Sequence, residues 1–292
     1  MMTFRPYPFV LLFVMLLLPA CTSVNVDMVR PDGEIRTPSF FDHGTFDEVL
    51  STYVAEDGLV DYEGLKQSDA LTPYLEALAV TDPSELSEQE QIAFWINAYN
   101  ALTLKLIVDN YPTEGILRLS PRGIKGLDFL IPKVNTPFKV EVGYVGGEKQ
   151  TPDNMEHGIL RVNYDEPRIH FALVCAAMSC PPLRNEAYTG ARLNEQLDDQ
   201  GRTFLHDRSK NAIPLDATTI QISKIFDWFE GDFAEDDAGL QQYLAQYFDG
   251  DLKTQLEQGA FEIKHMSYDW TLNDQRKVDG KPEPVPAPAT AQ

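Results

Sequence analysis

The chain runs to 292 residues and sets 45 Asp and Glu against 24 Lys and Arg, a formal net charge of −21. A surface this acidic repels nucleic acid and anionic lipid headgroups, which excludes a nucleic-acid partner and speaks for solubility. The length allows a sizeable core in one domain or in two tightly joined lobes, and no internal repeat divides it.

Residues 1–20 contain one basic residue, Arg5, an apolar run from Phe9 to Leu18, and small residues before Cys21. The run is too short to span a membrane as a helix and reads as a secretory leader. Leu18-Pro19-Ala20-Cys21 resembles the bacterial lipobox, and that resemblance implies cleavage before Cys21 and acylation of its thiol and new amino terminus, with fatty chains such as palmitate. Several chains together make a stable membrane anchor. Thr22 follows where an aspartate would retain a lipoprotein in the inner membrane, so the resemblance implies an outer-membrane lipoprotein facing the periplasm. An ordinary cleaved signal is the alternative. Residues 21–39 lack apolar periodicity, carry Pro31 and Pro38, and read as a tether; 40–275 form the domain, and 276–292 a disordered proline-rich tail.

Within the domain, residues 45–55 present Phe46, Val49, Leu50 and Tyr53 on one helical face, and 70–79 form a second helix stopped before Pro83. Ser87 and Glu90 make a capping box for a long helix that ends before Tyr111-Pro112. That helix is apolar on nearly every side, the pattern of a helix enclosed by protein. Asn97 and Asn100 interrupt it on an inward stripe with Leu104 and Val108, which requires partners on a facing element: either a satisfied core network or a site that the amides help to orient. Residues 111–137 read as loop, 138–142 as a half-buried strand before the Gly146-Gly147 turn, 155–161 as a short helix, 168–175 as a strand and 192–206 as an amphipathic helix. A strand remnant at 220–223, helices near 225–230 and 239–248, and a closing strand at 261–270 follow. Helices first and strands later make this α+β: a single domain with a buried central helix packed on a small, mainly antiparallel sheet.

The chemistry-bearing residues gather in 155–161 and 168–183. If Cys21 is acylated, Cys175 and Cys180 become an even pair in an oxidising compartment, where a disulfide is the default; a nucleophilic thiol and a metal site are the alternatives. In a regular strand His170 and Cys175 face opposite sides, so His157 is the better base for a Cys175 thiolate, with Glu156, Asn97 or Asn100 to orient it. Arg161 pairs with an acid or binds a ligand. A metal set of His157, His170, Cys175 and Cys180 follows no common zinc spacing, and no G-x-S-x-G, phosphate-cradling glycine loop, H-E-x-x-H or C-x-x-C occurs, so neither metal nor cofactor is expected.

F-W-I-N-A-Y-N-A-L, D-N-M-E-H-G-I-L-R, R-I-H-F-A-L-V-C-A-A-M-S-C-P-P-L, S-K-I-F-D-W-F-E-G-D-F and Y-D-W-T-L-N, in this order, resemble the bacterial and eukaryotic family catalogued as domain of unknown function 547, over residues 43–275. Its pattern falls on Asn97, Asn100, Glu156, His157, Arg161, His170, Cys175, Cys180 and Pro181. The resemblance implies one constellation and brings no established activity. Two functions are therefore expected side by side: thiol-dependent acyl transfer or amide hydrolysis at Cys175, or a disulfide-stabilised, non-catalytic module that binds a periplasmic peptide, glycan or protein.

Overall fold

The computed structural model describes residues 24–119 and 136–278. The leader, Cys21, the middle of the loop-like stretch and the tail beyond residue 278 lie outside the described residues. Helices α1 (Gly44–Tyr53), α2 (Tyr62–Lys66) and α3 (Thr72–Ala79) precede α4 (Glu88–Asp109), and each turns its apolar residues toward a shared core. Ser87 supplies the N-cap half of the expected capping box: its Oγ accepts from the Glu90 amide at 3.4 Å, with Glu88 and Glu90 in the first turn where acids favour the helix dipole. From Ile92 to Leu104 every residue of α4 is buried, as its all-round apolar sequence requires.

The domain is α+β, and its strands among the described residues form two separate pairs. Strands β1 (Gly143–Val145) and β2 (Glu148–Gln150) form an antiparallel hairpin. Its turn, Gly146-Gly147, has φ of +59° and +82°, a geometry that glycine adopts without strain. Gly143 seats the hairpin on α4, since a Cβ there would lie 2.3 Å from Leu102 Cδ2. The chain then passes through a π-helical turn (Asn154–Leu160), α5 (Arg161–Asn163), α6 (Ile169–Ala172) and α7 (Leu193–His206). Strand β3 (Thr219–Ile222) pairs in parallel with β4 (Glu262–His265), and a parallel pair needs a crossover. Helices α8 (Ile225–Trp228), α9 (Glu230–Phe233), α10 (Asp237–Ala245) and α11 (Gly250–Glu257) supply it.

Three strand expectations are corrected. The strand expected at 138–142 starts at Gly143, after a 3-10 turn at Pro137–Lys139, and the closing strand at 261–270 is regular only over Glu262–His265. The third correction concerns 168–175: Ile169–Ala172 is a helical turn. A short buried apolar run does not distinguish strand from helix by periodicity, and here the backbone partners come from a side chain. Asn100 Nδ2 donates to Ala172 O at 2.9 Å while its Oδ1 accepts from Val174 N at 3.0 Å. Other buried amides do the same work. Asn97 clamps both N and O of Tyr188, Gln196 holds Thr189 N and Ala187 O, and Gln241 holds both groups of Phe261. Segments that would otherwise need a neighbouring strand are satisfied by amide side chains.

One apolar cluster surrounds α4, and a second, with Phe171, Phe204, Phe226 and Phe233, fills the space under α7 to α11. Residues 24–36, expected as part of a tether, run along the domain surface: Asn110 exchanges two hydrogen bonds with the backbone of Asn25, and Arg36 bonds Val80 O and Asp82 N.

Candidate functional site

A cleft of about 250 Å3 opens where the two apolar clusters meet, the ordinary place for a ligand site. The π-helical turn supplies one wall. Thr151 Oγ1 accepts from Asn154 N at its start, Met155 and Leu160 turn inward, and Glu156 and His157 line the cleft. Such widened turns recur at functional sites.

The short helix α6 delivers His170 from below, 3% exposed, with its ring stacked on Phe229 at a centroid distance of 3.8 Å. Nε2 lies 2.7 Å from Asp232 Oδ2 and Nδ1 lies 3.5 Å from Glu156 Oε1. Burial works to raise the Asp232 pKa, but hydrogen bonds from Arg161 and His170 outweigh it and hold the carboxyl below its usual range. Asp232 is thus an ionised acceptor, and His170 Nε2 donates to it. Arg161 grips the same carboxylate with two bonds, Nε to Oδ2 at 2.5 Å and Nη2 to Oδ1 at 2.6 Å, the forked geometry that suits guanidinium. Its Nη1 lies 3.0 Å from His157 Nδ1, and since arginine only donates, that nitrogen is the acceptor. The partner that orients His157 is therefore Arg161, where Glu156 or an asparagine had been expected.

Cys175 and Cys180 are joined by a disulfide in the cleft wall. Tyr268 Oη sits over it, 3.3 Å from Cys175 Sγ and 3.2 Å from Cys180 Sγ. Burial first, and then the charge of Glu156, push the Tyr268 and Tyr99 hydroxyls well above the usual phenol range, so both line the cleft as donors. Trp228, Trp270, Phe138 and Phe229 complete an aromatic rim. Among the described residues no group of three or more His, Cys, Asp or Glu is placed to hold a metal ion.

The structure brings Glu156, His157, His170, Cys175, Cys180 and Pro181 to one cleft, with Arg161 behind them. His170 and Cys175, which a regular strand would set on opposite faces, both line the cleft because Ile169–Ala172 is a helical turn. Asn97 and Asn100 are buried as expected, at 1% and 3% exposure, but their amides hold backbone and do not line the cleft.

Residues 83–205 match the model of a family described as "Protein of unknown function, DUF547". No curated protein and no solved structure gives a significant match. The matched segment takes in α4, the π-helical turn, α6 and the disulfide, and ends within α7. Phe229, Asp232 and Tyr268 lie C-terminal to it and complete the site. Sequence reasoning gave these three no role. Their signal was present in the S-K-I-F-D-W-F-E-G-D-F and Y-D-W-T-L-N motifs, each of which combines acids with aromatic residues.

Proposed function

We propose that this chain is a ligand-binding protein of the cell envelope, anchored through acylated Cys21 to the outer membrane and facing the periplasm, whose cleft takes a peptide segment with a cationic side chain. The leader before Cys21 supports the location, and so does the Cys175–Cys180 disulfide, a bond that persists in oxidising compartments. A nucleophilic Cys175 would need a free thiolate, and the disulfide withholds it.

The observation that carries the binding reading is the chemistry of the cleft lining. Asp153 and Glu156 line the cavity together with the rings of Phe138, Trp228 and Trp270, Phe229 being covered by His170 and Arg161, and among the described residues no Lys or Arg lines it. Aromatic faces and carboxylates both attract a cation, and a cavity of about 250 Å3 suits one side chain with its flanking backbone. The net charge of −21 steers a cationic partner toward the surface.

The test is a fluorescence titration, because Trp228 and Trp270 sit on the cleft while Trp95 is buried. Short peptides carrying lysine should change the emission and compete with one another, and Glu156→Gln should weaken them about tenfold, the worth of one charge contact of about 1.4 kcal/mol. Equal binding of the glutamine analogues, or binding of neutral glycans in place of the peptides, would contradict the cationic-peptide reading.

A further inference from the structure

We propose that the Cys175–Cys180 bond is a thiol–disulfide exchange centre that oxidises dithiols reaching the cleft, with Cys175 as the sulfur attacked and Cys180 as the sulfur that leaves. This activity goes beyond ligand binding and stands or falls separately from it.

Exchange requires access to one sulfur and stabilisation of the other as it departs as a thiolate. The two sulfurs differ in this way. Cys175 is half-buried at the cleft wall, whereas Cys180 is 2% exposed. Cys180 Sγ accepts the Cys175 amide N–H at 3.1 Å, a donor that Cys175 Sγ lacks, and the Tyr268 hydroxyl, which lies between the two sulfurs, is 3.2 Å from it, so both groups can stabilise the charge that would develop there. Burial, with Glu156 nearby, keeps that hydroxyl protonated and able to donate at neutral pH.

The bond can also open without dismantling its loop. Met178 N bonds Thr271 O, Ser179 N bonds Asp269 O, Asn273 N bonds Ala176 O and Cys180 N bonds Ala177 O, so the backbone between the cysteines is pinned independently of the sulfurs. A disulfide that closes so short a loop adds less to the fold through chain entropy than one that closes a long loop. Ala176, at φ +59°, holds a left-handed conformation that disfavours a residue with a Cβ, a departure of the kind that clusters at functional sites.

In the forward step a thiolate of the dithiol attacks Cys175 Sγ, a new S–S bond forms, and the Cys175–Cys180 bond breaks with its electron pair passing to Cys180 Sγ. The second thiol of the partner then attacks the partner's own sulfur and releases Cys175. The dithiol becomes a disulfide, two electrons reduce the protein's cystine, and the dithiol's two protons end on Cys175 and Cys180.

The experiment treats the folded, full chain with dithiothreitol at neutral pH, quenches by alkylation and follows both cysteines by mass, with far-UV circular dichroism as the check on folding. Reduction should proceed with the fold intact, the monothiol glutathione should be trapped on Cys175, and Tyr268→Phe should slow reduction about tenfold through loss of one donor to the leaving thiolate. The glutathione mapping on wild type needs no variant. Reduction that occurs only at the rate of global unfolding, glutathione trapped on Cys180, or a Tyr268→Phe rate equal to wild type would overturn the proposal.

Discussion

His43 shows how one buried side chain contributes to the pH response of the fold. Packed among Phe41, Tyr74 and Phe94, it bonds the Tyr74 hydroxyl through Nδ1 at 2.8 Å, and its Nε2 has no partner among the described residues. Burial lowers its pKa from 6.5 to about 4, against a smaller opposing pull from Asp42. Because the folded value lies below the unfolded one, the unfolded chain binds the extra proton, so stability is full above pH 6.5 and falls as pH drops toward 4. The loss amounts to about 3 kcal/mol across that window. Asp232 acts in the same direction at lower pH: its folded pKa is depressed, and its contribution disappears as acid protonates the carboxyl. Urea unfolding at a series of pH values checks this. Wild type should weaken between pH 6.5 and 4 while His43→Gln stays nearly flat there, and parallel slopes for the two would contradict the assignment. At this scale the candidate site was partly legible. Glu156, His157 and His170 stand out by residue type and proximity in sequence, whereas the Asp232 carboxylate that organises them is 62 residues from His170 and is brought in only by the tertiary fold.

Among the elements, α4 governs the others through amides. Asn97 and Asn100 within it and Asn110 at its C-cap each exchange two hydrogen bonds with a distant backbone segment, fixing Tyr188, residues 172–174 and Asn25 in turn. Replacing Asn100 with leucine would leave Ala172 O and Val174 N buried without that partner. Asn100→Leu should therefore cost about 2–4 kcal/mol in urea unfolding and disturb the backbone that leads into Cys175. A loss below about 0.5 kcal/mol, the range of ordinary surface substitutions, would show that water or a shifted backbone replaces the clamp. These clamps also mark where the sequence ceased to inform. The cap of α4, its enclosure and the inward direction of both asparagines followed from spacing and composition. The form of 168–175 did not, because an asparagine 74 residues away from Val174 supplies what a paired strand would have supplied. The π-helical turn was equally hidden, since its residues resemble those of any short helix.

For the whole molecule, the central claim is that a cleft between two apolar clusters binds a ligand over a closed disulfide, without a cysteine nucleophile. The family match and the acidic surface are compatible with several activities, but a free Cys175 thiol is compatible with few besides nucleophilic chemistry. The most direct measurement is labelling of the full chain, purified without reductant, by a small thiol reagent across neutral pH. The account predicts no label on Cys175 or Cys180 in the folded protein and full labelling of both after reduction in denaturant. Stoichiometric labelling of Cys175 in the folded, unreduced protein, slowed by His157→Ala, would contradict it and restore the thiol nucleophile.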